Sequence, residues 1–254
     1  MLATRATEVL GIRYPITQGG LAHLAFAELA AAVSNAGGLG QITASTLESA
    51  EVLAQQIAEV QALTDQPFAI NFQLGRRDLS EMVLIAAEMG VPAMSFTAGD
   101  PRQYFQLLEG TAVRKICLVA TVRQAQNAES LGADVVVAVG QEGGGHIGRD
   151  DLGTLVLVPR IAESVRIPVL ASGGIADGRG LIAALALGAE GIEMGTRFIV
   201  TRECIAHLNY KQAIIDAQED GTMVVERSIG RPARVLRTPL AEAILQVEQL
   251  GGSI

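Results

Sequence analysis

Two lysines, two cysteines and three histidines are few for a chain of 254 residues, and each scarcity narrows the available chemistry. Lys115 and Lys211 stand against seventeen arginines, and neither falls at the carboxyl end of an expected strand, which argues against a Schiff-base aldolase. Cys117 in "KICLVA" and Cys204 in "TRECIAH" are too scattered for a disulfide framework, so a reducing cytosol fits. No H-x-H pair, paired carboxylates or Cys/His cluster appears at metal-ligand spacing, and no metal site is expected. Positive charge is also short. A net charge of −8 and a pI near 5.0 provide no basic patch for nucleic acid or anionic lipid. No apolar stretch approaches the roughly 18 residues that cross a bilayer; the greasiest, "LIAALALGAEGIEM", is broken by Gly188, Glu190 and Gly191. The opening "MLATRATEVLGIRYP" lacks the apolar region of a secretion signal. A soluble, cytoplasmic protein with no nucleic-acid or membrane partner is expected.

Apolar residues, by contrast, make up 49% of the chain and charged residues 18%, enough for a large buried core. Short β-like runs alternate with Ala/Leu-rich segments of helical character. "YPITQG" leads to a helix at 26–36, "LGQITA" to 46–63, "FAINF" to 78–89 and "AMSFT" to 101–109. "KICLVA" then leads to 122–131, "DVVVAV" to 154–165 and "PVLAS" to 177–187, and "GIEMG" opens the last part. Asp177 suits a helix N-cap and Pro101 a first turn. Strands apolar on both faces belong in a parallel sheet with helices on the outside. Eight such units predict an α/β fold of the (β/α)8, or TIM-barrel, type, with an open doubly wound sheet as the alternative. No linker, low-complexity tract or charge block divides the chain, so residues 1–254 are expected to form one domain. Its segment 197–254, two helices (205–218 and 239–250) around an extended "TMVVERSIGRPARVL", is expected as an extension packed on the barrel.

Barrel chemistry sits at the carboxyl ends of the strands. Those ends read "QGG" (18–20), Asn71, "TAG" (97–99), "ATV" (120–122), "EGGGH" (142–146), "SGG" (172–174) and "MGT" (194–196), small and polar almost throughout. "SGGI" and "MGT" end the seventh and eighth expected strands, where barrels grip phosphate; backbone N–H groups there need an approach free of side chains. Ser172 and Thr196 add hydroxyl donors. "GGGHIG" satisfies G-x-G-x-x-G, but "RDDLG" intervenes before any helix and the next strand ends in Ser172 rather than an acidic residue, so it is no dinucleotide fingerprint. His207 reads as surface or packing, and His23, although near the end of the first expected strand, is not expected to border the site. His146, a polar ring among glycines over the mouth, is the candidate proton carrier. One base and one phosphate grip, with neither metal nor nucleophile, imply that an organic cofactor carries the chemistry.

"YPITQGGLAHLAFAELAAAVSNAGGLGQITA", "EGGGHIG", "IPVLASGGIADGRGLIAALALGAEGIEMGTRFIVTREC" and "NYKQAI…GRPARVLRTP" together resemble the nitronate monooxygenases, formerly 2-nitropropane dioxygenases, from about residue 10 to 240. These are FMN-dependent barrels related to flavin-containing enoyl-acyl carrier protein reductases and some NADH:quinone reductases. The resemblance implies a catalytic role for His146. It implies flavin contacts at Gln18, Gly19, Gly20 and Asn71, and a phosphate end at Ser172, Gly173, Gly174, Gly195 and Thr196. Gly143, Gly144 and Gly145 would let the backbone lie close to the flavin ring and substrate.

The expected activity is therefore FMN-dependent oxidation of a small alkyl nitronate, with O2, to a carbonyl compound and nitrite. The rivals are an NAD(P)H-dependent flavin reductase of enoyl thioesters or quinones, and a non-redox phosphate-binding barrel isomerase. Something must cover the flavin, either residues 197–254 or a second subunit. Leu240, Ile244, Leu245 and Val247 lie on one face of the last helix and suggest a homo-oligomer.

Overall fold

A strand covered on both faces has to be apolar on both, and the run Val135–Ala138 is buried at every position. The computed structural model of this chain describes residues 2–75 and 77–251. Eight parallel strands form its central sheet: β1 (Ile16–Gln18), β2 (Gly40–Thr43), β3 (Phe68–Gln73), β4 (Ala93–Thr97), β5 (Arg114–Val119), β6 (Val135–Val139), β8 (Val169–Ser172) and β9 (Gly191–Met194). A two-residue strand, β7 (Gly145–His146), lies outside it. The strand order runs β1-β9-β8-β6-β5-β4-β3-β2, so β1 and β2 are left at the two ends. A parallel bridge between Thr17 and Leu39 brings those ends together, with Gln18 N donating to Leu39 O at 2.9 Å. The result is a TIM barrel. Its outer helices are α2 (Ala27–Asn35), α3 (Ala50–Leu63), α4 (Ser80–Glu88), α5 (Arg102–Leu107), α6 (Val122–Ser130), α7 (Thr154–Ala162) and α8 (Gly178–Ala186), followed after β9 by the short α9 (Thr196–Ile199).

The expected strands and helices all form, most within two residues of the expected bounds. The segment 46–63 starts late, because Ala44–Thr46 makes a 3₁₀ turn and Ser49 caps α3 at Val52 N. An N-terminal helix was not expected, nor were β7 and α9. Helix α1 (Arg5–Leu10) buries Ala6 and Leu10 in a cluster with Ala69, Ala93 and Val135, at the amino-terminal ends of the strands. Thr4 caps it through Thr7, and its hydroxyl donates to Glu190 O at 2.7 Å, so the helix stoppers the lower end of the barrel.

The lower half of the barrel interior is thus apolar and the upper half is not. Thr17, Gln41, Thr43, Asn71, Ser95 and Glu193 are all buried there. Beyond the barrel come α10 (Leu208–Asp216), β10 (Thr222–Val225), β11 (Ala233–Leu236) and α11 (Pro239–Gln249). The expected extended piece is a hairpin whose second strand pairs with both β10 and β7, making a three-stranded antiparallel sheet. On α11, Ala241 is buried and Ile244 and Leu245 pack on the hairpin. Leu240 and Val247, on the same expected apolar face, are 72% and 41% exposed. A hairpin is narrow, and only one side of the helix meets it.

Candidate functional site

Loops following β6, β8 and β9 converge at the carboxyl end of the barrel. Gly173 and Gly174 take left-handed backbone angles in succession, φ 105° and 71°, which side chains with a Cβ rarely adopt. Added bulk at Gly173 would meet Gly140 O and Gly143 N at 3.0 Å. Bulk at Gly144 would meet Thr196 Oγ1 at 3.4 Å, so the glycine loop lies directly against the start of α9. Glu142 reaches across to accept from Thr154 N at 2.9 Å and fixes the far end of the same loop at α7.

The N-termini of α8 and α9 at this end are not equivalent. Asp177 already occupies that of α8: its carboxylate accepts from Arg179 N at 2.9 Å and Gly180 N at 3.3 Å, and with Arg179 close by its pKa falls to about 2. A second anion would be repelled there. The N-terminus of α9, preceded by Gly195 and opening with Thr196 and Arg197, has no side-chain cap. Barrels commonly hold phosphate at such a short extra helix after the eighth strand. These residues fit a phosphate group.

The "QGG" turn has a different explanation from the one its composition suggests. A Cβ on Gly20 would lie 2.1 Å from Asn71 Oδ1, and one on Gly19 would lie 3.1 Å from the Glu193 carboxyl. The barrel's own polar side chains therefore require both glycines. Gln18 is fully buried, and its side-chain oxygen accepts from Gln41 N at 2.9 Å, patching the seam between β1 and β2. Asn71 points inward, with Nδ2 donating to Ser95 Oγ at 2.8 Å. Ser95 Oγ donates in turn to Gln41 Oε1 at 2.5 Å, and Gln41 Nε2 to Glu193 Oε2 at 3.3 Å. Burial pushes the Glu193 carboxyl up to about 7, opposed only by the Gln41 hydrogen bond. Sequence reading missed Gln41, Ser95 and Glu193. The signal was present, since a Glu between Ile192 and Met194 in a strand covered on both faces is out of place unless it is used.

His146 stands on β7 with its side chain 39% exposed, and its Nε2 is 4.0 Å from Glu226 Oε2. The hairpin holds this loop at several points. Ala233 pairs with His146 and Arg234 with Gly145, and Ile147 N donates to Pro232 O at 3.0 Å. Arg234 Nε donates to Gln141 O at 2.9 Å, and Arg227 pairs with Asp151 at 2.7 Å. Gly145, at φ 75°, has open space where a Cβ would go. The glycine run thus serves a turn, a contact with Thr196 and an open position beside the histidine. His23 is exposed at the rim, also left-handed at φ 61°, and His207 caps α10 by accepting from Asn209 N at 3.1 Å. A cavity of about 830 Å3 opens on the other side of the mouth, between Leu74, Gly75 and Arg77 after β3 and Gly99 and Asp100 after β4, away from these loops. Among the described residues no group of three His, Cys, Asp or Glu side chains is placed to hold a metal, and no helix is long and apolar enough to cross a membrane.

Comparison with known proteins agrees with this layout. The family model described as nitronate monooxygenase matches residues 3–250. A probable nitronate monooxygenase of Staphylococcus saprophyticus is 37% identical, the match covering 92% of this chain and 78% of that protein. A (3aS,4S,5R,7aS)-5-hydroxy-7a-methyl-1-oxo-octahydro-1H-indene-4-carboxyl-CoA dehydrogenase of Mycobacterium tuberculosis is 38% identical over 96% of this chain and 68% of its own. Among solved structures, FabK from Thermotoga maritima superposes with a TM-score of 0.94 at 44% identity, over 98% of this chain and 79% of that one. The nitroalkane oxidase of Streptomyces ansochromogenes gives a TM-score of 0.82 at 29% identity, over 92% and 79%.

Proposed function

This chain belongs to the nitronate monooxygenase family of oxidoreductases, and from that premise we propose that it is an FMN-dependent enzyme oxidising small alkyl nitronates with O2 to a carbonyl compound and nitrite. The observation that carries the reading is the convergence at one barrel mouth of the Gly173–Gly174 turn, the uncapped start of α9 and the loop bearing His146. FMN, when bound, supplies the two-electron redox chemistry. Backbone N–H groups of Gly174, Gly195 and Thr196 hold its phosphate, with the positive end of α9 favouring the dianion. Asn71 Oδ1, which accepts no hydrogen bond from the described residues, offers an acceptor beside Gly20. His146 holds or gives a proton at Nε2 next to the substrate, a role typically worth about 10²–10⁴ in rate. The hairpin keeps that ring in place over the mouth.

A second reading, NAD(P)H-dependent reduction of an enoyl thioester, is favoured by the 44% identity to FabK and the 38% identity to a CoA dehydrogenase. Both use the same flavin contacts and differ in electron donor. Purified protein should release FMN on heating. Supplied with propyl nitronate in air, it should form nitrite without NADH or NADPH. Nitrite formation at background level, alongside NAD(P)H oxidation driven by an enoyl thioester, would move the assignment to the second reading.

A further inference from the structure

The buried polar side chains in the upper barrel form a chain with a direction. Asn71 donates to Ser95, Ser95 to Gln41, and Gln41 to Glu193, so each hydrogen points toward the carboxylate. Ala69 and Thr17 lie between these residues on the intervening strands and are small enough to let the longer side chains meet across them. All four members are at most 4% exposed. With Nδ2 committed inward, the Asn71 carboxamide turns its oxygen toward Gly20 and the mouth.

We propose that Glu193, acting through Gln41 and Ser95, sets which end of the Asn71 carboxamide faces the ring of a bound flavin. Glu193 is then a positioning residue; the inference rests on the flavin site proposed above. An ionised carboxylate only accepts, and it fixes every donor in the observed direction. A protonated one can donate. If it donates to Gln41, both amides turn over and Asn71 presents its NH2 group instead of its oxygen. Two amides and a hydroxyl can run the chain either way at little cost, because each member keeps a partner in both senses.

Burial places this change near neutrality, at a pKa of about 7. Thr17 on β1, Gln41 on β2 and Ser172 on β8, which share the face of Glu193, are uncharged. Burial raises the Glu193 carboxyl and the Gln41 hydrogen bond opposes it; no charged neighbour contributes. The isoalloxazine ring carries one N–H, which the Asn71 oxygen can accept. Ring affinity should therefore rise as pH is raised through about 7.

The test measures dissociation of riboflavin and of FMN from the wild type, Glu193→Gln and Ser95→Ala between about pH 5.5 and about pH 8.5. Riboflavin is the decisive probe, because the FMN phosphate itself titrates near pH 6. Wild-type affinity for riboflavin should rise about tenfold across the range, the worth of one hydrogen bond. Both variants should be flat. In Ser95→Ala the carboxyl still titrates but the chain is cut, so a pH dependence that survives there overturns the relay. A pH dependence that survives Glu193→Gln overturns the assignment to Glu193. Flavin binding that is flat or falling with pH in the wild type overturns the inference and leaves the flavin site standing. A wild type that binds no flavin overturns both.

Discussion

Glu193 has an energetic signature that can be read without any ligand. Its folded pKa of about 7 lies above its ordinary value of 4.5, so the folded state binds the extra proton between the two. Its contribution to stability is fully present below about pH 4.5 and is lost as pH rises through about 7. At about 1.4 kcal/mol per pH unit, the loss is on the order of 3 kcal/mol for this fully buried group. Unfolding in urea should show the wild type losing stability from about pH 5 to about pH 8.5 and Glu193→Gln losing much less. Equal slopes for the two proteins would place the titrating proton elsewhere. At this scale the sequence was only partly legible. Asn71, His146 and the glycines stood out because they broke apolar runs at strand ends. Gln41, Ser95 and Glu193 were passed over, although Glu193 breaks an apolar strand and Ser95 pairs with Asn71 in register, because only closure of the barrel brings the four together.

The proposed phosphate end separates two elements that look alike in sequence. Both α8 and α9 follow glycine turns, but Asp177 neutralises the first and nothing caps the second. Gly195→Asp should abolish FMN binding with little change in circular dichroism, since it sets a carboxylate at the open N-terminus. Asp177→Ala should lower the melting temperature by a few degrees through the lost cap and leave FMN affinity unchanged or tighter. Weaker binding in Asp177→Ala than in Gly195→Asp would move the phosphate to α8. The β10–β11 hairpin is the other element with a consequence. Its hold on the histidine loop includes the Arg234–Gln141 hydrogen bond at 2.9 Å. Losing that bond, worth about 1–2 kcal/mol, should speed amide exchange at Gly145 and Ile147 by roughly tenfold in Arg234→Ala. Unchanged exchange would mean that the strand pairing alone suffices. A two-residue strand such as β7 leaves no periodic trace, and so the pairing of this loop with a hairpin some 90 residues further on could not be read from the sequence.

The molecule as a whole was the most legible level, because eight apolar runs with helical intervals admit few closed arrangements. The short helix α1 escaped notice since six residues carry too little periodicity to identify it. At this scale the exposed Leu240 and Val247 on α11, together with Leu208 and Ile215 on α10, mark apolar surface without a partner in one copy. Light scattering at micromolar concentration should report a homo-oligomer, and Leu240→Asp with Leu208→Asp should shift it toward monomer. A wild type that is already monomeric removes that expectation. The proposal that the assembled barrel mouth oxidises a nitronate beside His146 is tested most directly by anaerobic mixing in a stopped-flow spectrometer. Propyl nitronate, without NADH or NADPH, should bleach the visible flavin absorbance of the wild type. In His146→Ala, which should keep its flavin, bleaching should be about 10²–10⁴ slower. Bleaching by NADH or NADPH but not by the nitronate, or equal rates in the two proteins, would contradict it.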